Sequence, residues 1–212
     1  MDLYPIMVDL KKRPCTVIGG GTIAERKTEM LMACGAQVRV ISPDFTALLM
    51  QWATEGRIST IARPYQAGDL EGAFLVVSAT NNMAVNEAVA AEANLREILL
   101  NVVDMPQLCN YFVPAIVQKG PLVIAVSTGG ASPAMAKKIR QDLDNMFGPE
   151  YGVFLQLLGS LRNEVKERFA TQAERQKLWE TVIESDILAT IAAGKIDEAE
   201  EKIRHAVACT GT

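Results

Sequence analysis

One histidine and four scattered cysteines among 212 residues leave this chain short of the side chains that most metal and thiol chemistry requires. Cys15, Cys34, Cys109 and Cys209 form no Cys-x-x-Cys pair and no zinc-ligand spacing, so no metal-ligating residues are expected. Cys15 falls in a core strand and Cys34 on a helix face, and buried thiols are the expectation. His205 lies in the last helix, far along the chain from the other candidates, and reads as incidental. Nor does any apolar run approach the ~18 residues of a membrane span. The start Met1-Asp2-Leu3-Tyr4-Pro5 lacks the basic region and apolar stretch of a signal peptide, which leaves the cytoplasm as the expected location. An excess of positive charge is also missing. The 21 Lys and Arg face 25 Asp and Glu, a net charge of −4, which argues against a nucleic-acid partner.

What the chain does have is apolar content, 49% of residues, enough for a substantial core. Its length allows a nucleotide-binding domain with a smaller appendage. Strand patterns at 14–18, 36–41, 58–62, 73–78 and 98–103 alternate with helix patterns at 22–34, 44–54 and from Met83 to Ala93. In the last of these the apolar spacing runs Met83, Val85, Ala88, Val89, Ala93. Strands and helices alternating at this pitch predict a parallel sheet with helices on both faces. After about residue 110 the pattern changes. Tyr111–Val117 and Leu122–Val126, joined through Lys119-Gly120-Pro121, predict a hairpin. Ser132-Pro133 then opens a helix with Met135, Ile139, Leu143 and Phe147 along one stripe. From Tyr151 the pattern is helical, with Phe154, Leu158, Leu161, Val165 and Phe169 on one face and further helices near 174–184 and 195–208. The expectation is an α/β chain: a Rossmann-type parallel-sheet domain over 1–112, a small α+β segment over 113–148 and a C-terminal helical domain over 149–212.

The segment Cys15-Thr-Val-Ile-Gly-Gly-Gly-Thr-Ile-Ala-Glu-Arg-Lys27 carries the most information. A β-rich run enters Gly19, Gly20 and Gly21, and a helix-competent run leaves them. Read as Gly19-x-Gly21-x-x-Ala24, the segment fits the dinucleotide-binding pattern. Gly19 would allow the tight turn, Gly21 would let a pyrophosphate approach the backbone, and Ala24 would let helix and sheet pack closely. The N–H groups and positive dipole end of the helix favour an anion.

Ligands of an open parallel sheet sit beyond the carboxyl ends of its strands. Four segments should converge there: the glycine turn, Ser42-Pro43-Asp44, Ser78-Ala-Thr80-Asn81 and Asn101-Val-Val-Asp104. Asp44 stands 20 residues after Ala24, about where an acidic group reaches a ribose, but it lies past Ser42-Pro43, so a ribose contact and a turn residue both remain open. No arginine directly follows the second strand, which leans toward NAD over NADP. Asp104 follows an apolar strand at the ligand end. It reads either as a general acid or base or as a carboxylate capping a turn. Ser127-Thr128-Gly129-Gly130-Ala-Ser-Pro133 makes an anion-accepting turn before a well-capped helix. Lys137, Lys138 and Arg140 on that helix would either meet substrate carboxylates or form a solvated face.

Taken together, Tyr4-Pro5 with Asp9-Leu10, Val17–Lys27, Ala79-Thr80-Asn81, Asn101-Val-Val-Asp104, Pro114-Ala-Ile and Ser127–Pro133 resemble the precorrin-2 dehydrogenase family, the NAD-dependent module also found as the N-terminal half of siroheme synthases. The resemblance covers nearly the whole chain. It implies oxidation of precorrin-2 to sirohydrochlorin with NAD⁺ as hydride acceptor and, in some members, insertion of Fe²⁺ as a substrate to give siroheme. It maps the essential acid/base onto Asp104 and cofactor contacts onto Thr22, Ile23, Pro43 and Asp44, with Thr80 and Asn81 beside them. It implies a homodimer, with the segment after the first domain exchanged or packed between subunits. A tetrapyrrole with acetate and propionate arms would give Ser127, Thr128, Gly129, Gly130 and Lys137 a substrate-binding task. Two departures are expected to matter. The methyltransferase half of the fused synthases is absent, so this chain would not make precorrin-2, and Thr128 stands where some relatives carry a regulated serine. The competing class is a non-catalytic NAD(H)-sensing module, which gives no reason for the Asp104 and Ser127–Pro133 motifs to occur together.

Overall fold

The computed structural model describes residues 3–209, with Cys209 described by its backbone alone, so the expectation of a buried thiol there lies outside the described side chains. The chain divides into two compact units, Leu3–Val113 and Pro114 onward. The segments expected over 113–148 and 149–212 share the second unit almost entirely. Among the described residues no helix is long and apolar enough to cross a membrane.

The first unit is a five-stranded parallel sheet in the order β3-β2-β1-β4-β5. Its strands are β1 (Pro14–Ile18), β2 (Gln37–Ser42), β3 (Ser59–Ala62), β4 (Leu75–Ser78) and β5 (Leu99–Val102). Helices α1 (Thr22–Ala33), α2 (Ala47–Thr54) and α3 (Met83–Leu95) make three of the crossovers, and an irregular segment joins β3 to β4. β1 and β4 are apolar runs because the sheet is covered on both faces. Successive side chains of a strand point to opposite faces. Val17, Val40 and Val77 therefore pack with Ala24 and Leu31 of α1 and with Leu49 and Trp52 of α2, while Ile18, Ile41 and Val76 pack with Val89, Ala90 and Ala93 of α3. The α/β class and the parallel sheet expected from the sequence are borne out.

In the second unit β6 (Ala115–Lys119) and β7 (Leu122–Val126) form the expected antiparallel hairpin around Gly120-Pro121. Helices α4 (Pro133–Met146), α5 (Pro149–Arg168), α6 (Gln172–Ile183), α7 (Ile187–Ala192) and α8 (Ile196–Cys209) follow. Phe154, Leu161, Val165 and Phe169 are buried against Leu178, Val182, Ile187, Ile191 and Ile203, so most of the apolar face expected along α5 is a helical core.

Several local expectations need correction. β6 begins at Ala115 rather than Tyr111, because the Asn110 and Tyr111 amides donate back to the Leu100 carbonyl and Pro114 offers no amide to a ladder. Cys34 is exposed because it is the residue that ends α1, just before Gly35 turns the chain. In α3 the buried residues are Asn86, Val89, Ala90 and Ala93, while Met83 and Ala88 face solvent. Nothing in α4 is fully buried: of its stripe Met135 and Ile139 are exposed, while Leu143 and the following Phe147 are half-buried, Phe147 against Tyr151. The six-residue α7 is too short for its periodicity to stand out in the sequence.

Candidate functional site

Five parallel strands necessarily end on one edge of the sheet. The residues that follow them there are Gly19–Gly21 after β1, Pro43 and Asp44 after β2, Ala79–Asn81 after β4, and Val103 and Asp104 after β5. Because β1 lies between β2 and β4, the glycine turn is central. The loops are stitched through their backbones. Gly19 N donates to Ile41 O at 2.9 Å, Ala79 N to Ile18 O at 2.8 Å, Val103 N to Ser78 O at 2.9 Å and Thr46 N to Gly20 O at 3.0 Å.

The three glycines do different things. Gly19 has φ +114°, and a Cβ there would meet Ala79 O at 2.4 Å. A Cβ on Gly20 would fall 1.9 Å from Asp44 O and 2.9 Å from Ser42 Oγ. These two positions let neighbouring loops close on the turn. Around Gly21 nothing among the described residues lies within 4 Å of the position a Cβ would take, so its outer side is open.

Gly21 is also the N-cap of α1, and among the described residues no side chain caps that helix. The first N–H groups of a helix have no partner inside it. In α2 and α3 a side chain supplies one, Thr46 to Leu49 N and Asn82 to Val85 N. The start of α1 thus pairs an open glycine with uncapped amides at Gly21, Thr22 and Ile23, and Thr22 and Ile23 are exposed. A pyrophosphate fits this arrangement. Pro43, Asp44 and Asn81 are exposed on the same edge, and Thr80 is half-buried, with Oγ1 accepting from Asn82 N at 3.2 Å.

Asp104 holds φ +59°, a left-handed conformation that aspartate tolerates better than most residues. It is exposed, and among the described residues no hydrogen bond engages its carboxylate, so it does not cap its own turn. Other groups hold that turn. Cys109 Sγ accepts from Val102 N at 3.1 Å and lies 3.3 and 3.4 Å from the Val102 and Met105 carbonyls. Asn101, part of the motif read from the sequence, donates from Nδ2 to Tyr111 O at 3.2 Å, so it supports the loop. Asn110 accepts from Leu100 N at 2.6 Å and donates to Ile98 O at 2.8 Å, bonding to the free edge of β5 as a neighbouring strand would.

Lys27 is a feature the sequence reading passed over. It lies in the inward stripe Ala24, Lys27, Thr28, Leu31 of α1 and is half-buried, with no ion pair to a carboxylate among the described residues. Burial first, then Arg26, pull its pKa below the usual lysine value, while Asp104 and Cys109 act in the opposite direction. A depressed folded-state pKa makes the charged form costly in the fold at neutral pH, and that cost fades as pH rises toward the unfolded lysine value of about 10.4. Lys27→Met is therefore expected to melt higher than the parent at pH 7, with the gap shrinking in alkaline buffer. Thermal unfolding over a pH series checks this, and a variant that melts lower at pH 7 contradicts it.

Ser127, Thr128, Gly129, Gly130 and Lys137 belong to the second unit. The turn there is largely self-satisfied. Thr128 Oγ1 donates to Ser132 O at 3.0 Å and accepts from Ser132 N at 3.2 Å, Gly129 N donates to Ser127 Oγ at 3.2 Å, and Met135 N to Ser132 Oγ at 3.2 Å. Gly129 and Gly130 adopt φ of +61° and +84°. Lys138 pairs with Asp142, whereas Lys137 is exposed and in no ion pair among the described residues. His205 is an exposed residue of α8. Among the described residues no group of three or more His, Cys, Asp or Glu is arranged to hold a metal ion. A groove of about 450 Å³ lined by Thr16, Val38, Arg39, Arg57 and Glu71 lies at the amino-terminal ends of the strands, away from the glycine turn.

A model described as putative NAD(P)-binding matches residues 6–115, just over half the chain. The chain belongs to this putative NAD(P)-binding family. Behind that match come the sirohaem biosynthesis protein central model at residues 119–146 and the sirohaem synthase dimerisation region at 150–207. The siroheme synthase of Methylobacillus flagellatus is 40% identical over 207 residues, covering 98% of this chain and 44% of that protein. Siroheme synthase 1 of Yersinia enterocolitica is 37% identical over 204 residues, covering 96% and 43%. The chain thus spans less than half the length of these relatives. A solved structure of SirC, a precorrin-2 dehydrogenase, is 29% identical with a TM-score of 0.79, covering 96% of this chain and all of that one. The family resemblance read from the motifs is borne out, and the expected nicotinamide cofactor agrees with the NAD(P)-binding match.

Proposed function

We propose that this chain is an NAD-dependent dehydrogenase that oxidises precorrin-2 to sirohydrochlorin on the way to siroheme or cobalamin. The observation that carries the reading is the end-to-end match with a precorrin-2 dehydrogenase, 29% identical over the whole of that chain. Cytoplasmic residence accompanies the proposal.

Gly19, Gly20 and Gly21 shape the cofactor seat, and the amides of Thr22 and Ile23 receive the pyrophosphate. Pro43 and Asp44 flank the adenosine end, where a carboxylate suits a free ribose hydroxyl and repels a 2′-phosphate, and Thr80 and Asn81 line the seat from β4. NAD⁺, when bound, accepts a hydride. Oxidation of precorrin-2 also releases a proton, and the Asp104 carboxylate, exposed and free of hydrogen bonds among the described residues, takes it as general base. Ser127, Thr128, Gly129, Gly130 and Lys137 receive the acetate and propionate arms. Because the hydroxyl of Thr128 is engaged by Ser132, the exposed ammonium of Lys137 and the outward edges of the two glycines carry most of that contact. The working form is a homodimer. The exposed apolar side chains of α4, Met135 and Ile139 among them, support a second copy as their cover. In this reading 1–112 binds cofactor, 113–148 serves the dimer and the substrate, and 149–212 completes the helical part.

The test is anaerobic addition of precorrin-2 to purified protein with NAD⁺. NADH is expected to appear in step with sirohydrochlorin. Tight NAD⁺ binding without NADH formation would favour a sensor module instead. The siroheme synthase relatives favour a second activity, insertion of substrate Fe²⁺ into sirohydrochlorin, with Asp104 taking pyrrole protons. Sirohydrochlorin and Fe²⁺ without NAD⁺ test it separately, and insertion no faster than the protein-free rate eliminates it.

A further inference from the structure

A buried amide connects the two halves of the reaction site in the first unit. Asn86 lies on the sheet-facing stripe of α3, where Val89, Ala90 and Ala93 are its neighbours, and only 3% of it is accessible. An asparagine on such a stripe costs stability unless its amide is paired. It is paired three ways. Ser78 Oγ donates to Asn86 Oδ1 at 2.7 Å, and Asn86 Nδ2 donates to Thr80 O at 3.2 Å and lies 3.4 Å from Met105 Sδ. Ser78 ends β4, Thr80 lies in the loop assigned to the cofactor, and Met105 follows Asp104.

We propose that Asn86 is a positioning residue that fixes the β4 cofactor loop and the Asp104 turn relative to each other. The inference rests on the dehydrogenase reading for its kinetic half. Thr80 O is held from below by Nδ2, which sets the tilt of the Thr80-Asn81 peptide at the cofactor edge. Met105 has its side chain against the same amide and its N–H on Val102 O at 3.2 Å, so the turn that holds Asp104 left-handed is gripped at both its backbone and its next side chain. An apolar residue in this place would fill the core equally well and leave both loops free to drift. A misplacement of about 1 Å at a reacting group can cost of order a hundredfold in rate.

Asn86→Asp keeps the size and the bond from Ser78 but turns the donor facing Thr80 O into an acceptor. It is expected to weaken NAD⁺ binding, measured by calorimetry without substrate, about tenfold, the worth of one buried hydrogen bond. It is also expected to lower kcat with precorrin-2. Val89→Ala, on the same stripe but with an apolar side chain that makes no hydrogen bond to either loop, is the control. It should lower the melting temperature through its cavity and leave Kd and kcat as they were. Met105→Leu conserves volume and removes the sulfur contact alone, so it should reduce kcat several-fold with NAD⁺ affinity unchanged. Asn86→Asp behaving like Val89→Ala, less stable but with unaltered Kd and kcat, overturns the proposal. So does Met105→Leu with parental kcat, which covers the case in which Asn86→Asp fails to fold. If the parent protein makes no NADH from precorrin-2, the dehydrogenase reading fails, while the calorimetric effect of Asn86→Asp still decides the positioning role at the cofactor loop.

Discussion

Asp104→Asn is expected to lower turnover of precorrin-2 by roughly 10²- to 10⁴-fold, the usual worth of a general base, with NAD⁺ affinity unchanged. Asparagine is the informative replacement because it removes the proton acceptor and little else. At φ +59° both Asp and Asn are tolerated, whereas alanine adds about 1–2 kcal/mol of backbone strain and would mix a folding effect into the rate. The carboxylate accepts no hydrogen bond among the described residues, so no hydrogen-bond partner is lost. Single-turnover kinetics with calorimetry for NAD⁺ make the measurement. A variant that turns over within about twofold of the parent removes Asp104 from the chemistry, since even a weak general base is worth more than that.

The second large effect separates two neighbouring glycines. A methyl on Gly20 would sit 1.9 Å from the Asp44 carbonyl oxygen, a backbone atom that cannot swing aside, so Gly20→Ala must force the β1 and β2 loops apart. The expected cost is about 3 kcal/mol or more, the upper range for overpacking, together with loss of NAD⁺ binding. A methyl on Gly21 meets nothing within 4 Å, so Gly21→Ala should melt like the parent. It should still bind NAD⁺ at least about tenfold more weakly, because the methyl occupies the approach of the pyrophosphate to the helix amides. Unfolding curves and NAD⁺ titrations on the two variants check both halves. Parental NAD⁺ affinity in Gly21→Ala would show that the open side of the turn is not the cofactor seat.

Much of the first unit was legible because its rules are local. Apolar runs such as Leu75–Val77 mark strands covered on both faces, and Gly19–Gly21 between a strand and a helix marks the turn at their junction. Chain order with parallel crossovers then sends Asp44, Thr80 and Asp104 to one edge without further information. What stayed hidden was pairing across the fold. Asn86 and Asn110 look like ordinary polar residues in sequence, and their roles come from carbonyls and amides on other elements. Lys27 was hidden for a related reason, since a lysine in a helix is ordinarily solvated and nothing local says that this one faces inward. The division of labour among the glycines was also only half legible. The pattern assigns Gly19 to the turn and Gly21 to the ligand, but it says nothing of the contact between Gly20 and the Asp44 backbone. In the second unit the apolar stripe of α4 gave its period correctly, but sequence periodicity cannot say what covers a face, and here its first two members, Met135 and Ile139, are left exposed.

Cofactor and proton acceptor should meet at the carboxyl-terminal edge of the sheet, and a structure of the protein with NAD⁺ bound tests this most directly. The pyrophosphate is expected against the amides of Thr22 and Ile23 beside Gly21, with the nicotinamide end reaching the side of Asp104. NAD⁺ lodged instead in the groove lined by Arg39 and Arg57, at the opposite ends of the strands, would contradict it.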